Sequence, residues 1–223
     1  MMTAITLTAS DGHDLGGYLA LPQGTPRGGI VVIQEIFGVN VHIRDMCDRF
    51  AAAGYAALAP AIFDRIERDF ECGYEPDDIA MARAFIPKLD WNGVMLDTEA
   101  ARAELAQYGK VGIVGYCLGG SVAFLAAAEM DGIAAASCYY GGKIKDFADK
   151  KPRCPVQLHY GALDKGIPPE NYEAVRAARP DCEFYLYEEA DHGFNCDRRA
   201  SFHPEAAAMA QKRTEKLFAE HVG

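Results

Sequence analysis

The stretch GIVGYCLGGSVAF, residues 112–124, decides how this chain is read. A β-branched apolar run reaches Tyr116, a cysteine follows, and a helix-forming stretch starts at Leu118. When a strand turns sharply into a helix, the apex residue is exposed and strained. Glycines two positions to either side let the two backbones approach. Gly115 and Gly119 occupy those positions around Cys117, which is the pattern of a nucleophile elbow with sulfur in place of oxygen. Such an apex stands above the carboxyl edge of a parallel sheet, where α/β proteins bind ligands, and at a helix N-terminus that favours a thiolate. The same pentapeptide also suits a buried cysteine beside glycines that only pack, since free cysteine is often buried.

Working outward, apolar runs alternate with segments of helical period. ITLTA (5–9) and GYLALP (17–22), separated by SDGHD, predict an opening hairpin. GGIVVIQE (28–35) is a nearly unbroken apolar run, as in a strand buried on both faces of a parallel sheet. Helix 42–54 and strand 55–63 follow; residues 64–90 are charged and irregular, contain a helix over AMARAFIPKL, and could pass over a site. Helix 96–109, strand 110–116, helix 118–130, strands 133–141 and 154–161, helix 169–180, strand 182–190 and helix 203–222 complete the series. An N-terminal antiparallel hairpin followed by alternating β and α predicts one mostly parallel sheet of about eight strands with helices on both faces. At 223 residues without a visible linker, repeat or low-complexity segment, residues 1–223 are expected to form a single domain.

Composition narrows the function. The balance of 22 Lys+Arg against 32 Asp+Glu gives a net charge of −10, which disfavours nucleic acid or an anionic membrane as partner and favours a small molecule. Seven cysteines, with no CxxC pair, predict free thiols in a reduced, cytoplasmic protein, and no apolar run reaches the roughly 18 residues of a membrane span. The histidines and cysteines lack metal-ligand spacing, so neither metal nor cofactor is expected. A monomer or small homo-oligomer is expected.

Two further sites bear on Cys117. HYGALDKGIP (159–168) places Asp164 shortly after a strand, and EEADHGF (188–194) places His192 after the next. Alone, Asp164 could form a turn and His192 could be a surface histidine. Together, Cys117, Asp164 and His192 follow the nucleophile–acid–base order of an elbow architecture, and all three lie at strand ends on one edge. His13, His42, His159, His203 and His221 occupy no comparable position and are read as structural.

QEIFGVN (34–40), GYCLGG (115–120), GALD (161–164) and EADHGF (189–194) together resemble the dienelactone hydrolase (carboxymethylenebutenolidase) family over essentially the whole chain. The resemblance implies an α/β-hydrolase fold and hydrolysis of small carboxylic esters, most naturally a dienelactone or related enol lactone. General carboxylesterase or thioesterase activity on the same residues, acyl transfer, and a non-catalytic binding protein are the alternatives. The resemblance further implies Cys117, Asp164 and His192 as triad, Glu35 as a carboxylate beside the thiol, and the backbone N–H groups of Ile36 and Leu118 as oxyanion hole. Where family members place an arginine shortly after the catalytic histidine, this chain has Gly193, Phe194, Asn195 and Cys196, with Arg198 and Arg199 only beyond. A substrate-carboxylate clamp is therefore sought among Arg65, Arg68, Arg83, Arg198 and Arg199, with Arg65, Arg83 and Arg198 as the candidates taken forward.

Overall fold

The computed structural model describes residues 2–223. Strands β1 (Met2–Thr8) and β2 (Asp14–Ala20) form the antiparallel hairpin, Leu7 pairing with Leu15, and its turn closes through Ala9 N–H donating to the His13 carbonyl at 2.8 Å. Six strands follow: β3 (Gly29–Ile33), β4 (Ala56–Pro60), β5 (Val111–Tyr116), β6 (Ile133–Tyr139), β7 (Val156–Gly161) and β8 (Glu183–Tyr187). They make one eight-stranded sheet in the order β1-β2-β4-β3-β5-β6-β7-β8, antiparallel up to β2–β4 and parallel from there on. Every residue of β3, β4, β5 and β7 is buried, which explains the unbroken apolar character of β3 and β4; β7 buries Gln157 and His159 as well.

Helices α1 (Val41–Ala52), α2 (Pro76–Arg83), α3 (Trp91–Leu105), α4 (Leu118–Glu129), α5 (Pro169–Ala178) and α6 (Pro204–His221) surround the sheet. Phe50 of α1 meets Phe218 of α6 edge-on at 5.8 Å, while α3 and α4 pack on one another and on the central strands. α4 is buried from Leu118 to Ala128, so it is apolar all round and carries no amphipathic stripe.

Several boundaries differ from the sequence expectation, for local reasons. The helix expected over 80–89 runs instead over Pro76–Arg83, because Glu75 and Asp78 form a capping box and Pro76 is preset for the first turn; residues 86–88 form only a 3-10 turn around Pro87. α3 begins at Trp91 rather than 96, since the Asp90 carboxylate accepts from Asn92 N–H and Gly93 N–H. β6 stops at Tyr139, where Tyr140 takes a positive φ of 37°. β8 ends at Tyr187, and a turn carries the chain on to His192.

Because β3, β5, β6, β7 and β8 run parallel, their carboxyl ends share one edge. The residues that follow them, Glu35, Cys117, Tyr140, Asp164 and His192, are all delivered there.

Candidate active site

Cys117 sits between β5 and α4 with φ 56° and ψ −112°, a strained conformation for a residue other than glycine. The close approach that demands glycine is explicit: a Cβ at Gly115 would fall 1.8 Å from the carbonyl oxygen of Gly119. The Cys117 N–H donates to the Tyr139 carbonyl at 3.0 Å, tying the apex to the end of β6. Its thiol is half-buried at the N-terminus of α4 and interacts electrostatically with the His192 imidazole.

The Nδ1–H of His192 donates to Asp164 Oδ2 at 2.6 Å. The other oxygen, Asp164 Oδ1, accepts from Gly166 N–H at 2.8 Å and Ile167 N–H at 3.2 Å, so the buried carboxylate is fixed before it meets the imidazole. Burial, the largest influence on His192, works against its charged form. The charge of the Cys117 sulfur, the hydrogen bonds to Asp164 and Cys117, and the Asp164 charge outweigh it, and the imidazole pKa is raised from 6.5 to about 10. With the sulfur ionised, thiolate and imidazolium therefore form a coupled pair.

These groups open onto a cavity of about 340 Å³, lined on the chemical side by Cys117, His192, Ile36 and Leu118. Neither Ile36 N–H nor Leu118 N–H donates to another backbone carbonyl in a loop or turn, and Leu118, first residue of α4, has no intrahelical acceptor. Ile86, from the 3-10 turn after α2, lines one wall, so the irregular 64–90 segment does reach the site. A larger groove, of about 710 Å³, lies over β1, β2 and the segment 68–71, and neither cysteine, serine nor histidine lines it.

The carboxylate expected beside the thiol is held by a guanidinium. Glu35 is buried, and its Oε1 accepts from Arg199 Nη1 at 3.1 Å. Arg199 lies over the rings of Phe37 and Tyr74, and Gly193 makes room for it, since a Cβ there would fall 2.4 Å from its Nη1. The three arginines taken forward as a clamp are placed elsewhere. Arg65 bridges Asp97 and Asp11 and pins the excursion to α3; Arg198 pairs with Asp45 and Asp197 on the surface; Arg83 is exposed at the end of α2. None of them lines the cavity, and Arg68 is paired with Asp64 beside the larger groove.

The cations that do line it are Lys143 and Lys145, on the loop after β6, and no carboxylate lines it among the described residues. Lys143 Nζ pairs with Asp146 at 3.0 Å and Lys145 Nζ donates to Asn171 at 3.3 Å. Sequence reasoning missed them because a KIK triplet after a strand carries no signal that distinguishes a cavity rim from any other solvated loop.

Comparison with known proteins gives the family. The sequence profile of the dienelactone hydrolase family matches residues 15–222. A relative from Synechocystis sp. named "Putative carboxymethylenebutenolidase" is 34% identical over 97% of this chain and 96% of its own, and one of the same name from Azospirillum brasilense is 35% identical over the whole of both chains. The crystal structure of a protein described as "Putative Dienelactone Hydrolase" from Klebsiella pneumoniae superposes with a TM-score of 0.87 at 31% identity, covering 99% of this chain and 100% of that one. A Pyrococcus furiosus esterase, at 14% identity and a TM-score of 0.74, covering 100% of this chain and 93% of that one, shares the α/β-hydrolase fold. The chain belongs to the dienelactone hydrolase family and is a carboxylic ester hydrolase.

Proposed function

We propose that the protein hydrolyses small carboxylic esters, enol lactones foremost, through an acyl-thioester on Cys117. The observation that carries this reading is a strained cysteine at a helix N-terminus sharing one cavity with an imidazole held at 2.6 Å by a buried carboxylate. The Cys117 sulfur attacks the ester carbonyl carbon, and the carbonyl π pair moves onto oxygen, where the N–H groups of Ile36 and Leu118 receive it. Collapse of this tetrahedral species breaks the bond to the leaving oxygen. His192, the proton donor of the coupled pair, protonates that oxygen when the leaving group is basic. An enolate departs as a stabilised anion and asks less of the donor, which suits a thiolate nucleophile. His192, neutral once its proton has passed to the leaving oxygen or to the departed enolate, and oriented by Asp164, then takes a proton from water; the hydroxide adds to the thioester, and the thiolate leaves with release of the acid.

Lys143 and Lys145 give the reading its substrate charge. In a protein of net charge −10, two ammonium groups at the rim and no lining carboxylate favour an ester that carries an acidic group. The test is a panel of neutral aryl esters, thioesters and acidic enol lactones, run on the parent protein and on Cys117→Ala. The account expects the highest kcat/KM on an acidic lactone and a loss of roughly 10⁴-fold or more in the variant, with its fold retained. Turnover that survives in Cys117→Ala would sink the mechanism, and preference for neutral thioesters would move the substrate class.

A further inference from the structure

Beside the cavity, Glu35 is the meeting point of a second cluster. His42 in the first turn of α1 and Cys196 in the loop after His192 converge on it, and a carboxylate oxygen, an imidazole nitrogen and the Cys196 sulfur all lie within 4.8 Å of one another. All three residues are buried. Glu35 Oε2 and both ring nitrogens of His42 have no hydrogen-bond partner in the protein. An unpaired buried polar atom is costly, so an orphaned carboxylate oxygen and an orphaned imidazole beside a buried sulfur mark a place built for something that pairs with them. One thiol, one imidazole and one carboxylate form a donor set for a borderline-soft divalent ion, and three protein ligands leave a fourth position open.

We propose that Glu35, His42 and Cys196 bind one divalent ion of the Zn²⁺ class. Tetrahedral zinc, with bonds of about 2.0–2.3 Å, sets its donors roughly 3.3–3.8 Å apart, so the three groups close by about 1 Å on ligation. The Sγ–H bond of Cys196 breaks, its proton goes to solvent, and the sulfur–metal bond forms, with no change of oxidation state. Arg199 keeps Glu35 Oε1 while Oε2 takes the metal, so the carboxylate bridges the two. Tyr74, whose hydroxyl accepts from Asn40 Nδ2 at 3.0 Å, interacts electrostatically with the sulfur and would orient it. The site escapes sequence inspection because positions 35, 42 and 196 come together only when the loop after β8 folds back against β3 and α1. An ion held there ties the loop that carries His192 to the end of β3 and immobilises the carboxylate near the thiol. On the functional reading given above, ester turnover falls when the site is filled.

The deciding experiment uses Cys117→Ala, which removes the thiol–imidazole pair of the candidate active site as a competing zinc site. Metal-free protein is titrated with Zn²⁺ against a chromogenic chelator, and with Co²⁺ for its absorption. The expected result is one ion per chain, a sulfur-to-cobalt charge-transfer band in the near ultraviolet, and a Tm that rises with zinc. Adding Cys196→Ser, a near-isosteric change, should abolish that band and weaken zinc binding by more than about tenfold, the lower bound set by losing even an outer partner of a metal ligand. Failure of Cys117→Ala to bind one ion, or a cobalt band and zinc affinity that survive both Cys196→Ser and His42→Ala, would overturn the site. In the chain that retains Cys117, Cys196→Ser should keep ester turnover while losing chelator-reversible inhibition by zinc. Inhibition that persists undiminished would assign zinc to Cys117 and His192 and overturn the regulatory part.

Discussion

At the residue scale, the chemistry rests on what surrounds one sulfur. Cys117 holds φ 56° because strand, turn and helix over-determine it, and a backbone cost of about 1–3 kcal/mol persists only under such constraint. The elbow was legible in sequence because glycine at 115 and 119, together with Asp164 and His192 at later strand ends, fits a close strand-to-helix approach that a Cβ at either glycine would block. The Arg199–Glu35 pair was not, since it depends on how far a loop folds back. His192 offers the sharpest residue-level prediction. Its pKa of about 10 lies well above 6.5, and the Cys117 charge is the first of the influences that raise it. In the parent protein the imidazole should therefore stay protonated while the thiolate is present, and release its proton only as pH rises through about 10. Cys117→Ala removes that charge, leaving burial opposed by Asp164 alone, so the imidazole should titrate at lower pH. Imidazole NMR across a pH series checks this, and identical titration curves in the two proteins would refute the coupling.

At the scale of elements, the carboxyl ends of five parallel strands assemble the site and the loops give it selectivity. The order of strands and helices was legible because buried parallel strands read as continuous apolar runs. The loop after β6 was not, and the search for arginines therefore settled on Arg65, Arg83 and Arg198, which the structure places outside the cavity. Lys145→Ala and Lys143→Ala test the loop's contribution. Each should raise KM for an acidic lactone by up to roughly fivefold, since a solvent-exposed ion pair contributes at most about 1 kcal/mol, and leave neutral aryl esters unchanged. The effect should fade with added salt, as expected for exposed charges. Equal effects on acidic and neutral esters would show that the lysines act on packing rather than on charge.

At the scale of the whole molecule, no helix among the described residues is long and apolar enough to cross a membrane, and one sheet carries both stability and site. Loss of stability in acid is expected from a group away from the site. His159 in β7 is fully buried among Tyr139, Tyr185 and Tyr187, with Nδ1 against the Tyr187 hydroxyl at 2.9 Å. Burial first, and Arg213 second, lower its pKa to about 3. The unfolded chain takes up this proton at its ordinary 6.5, so the group favours the folded state fully above 6.5 and that contribution is lost as pH falls from 6.5 towards 3. His159→Phe should flatten the decline of unfolding free energy across that interval, as read by denaturant titration at successive pH values. An unchanged slope would place the acid sensitivity in other groups.

The central claim is that Cys117 carries the acyl group, and intact-mass spectrometry of a slowed enzyme tests it most directly. Replacing His192 with Gln removes the base that activates water, so an activated aryl ester should acylate the protein faster than the thioester can be hydrolysed. The account predicts one acyl group per chain, mapped to the peptide containing Cys117, released by hydroxylamine and absent after Cys117→Ala. An acyl group on any other residue, or one that forms equally in Cys117→Ala, would contradict it.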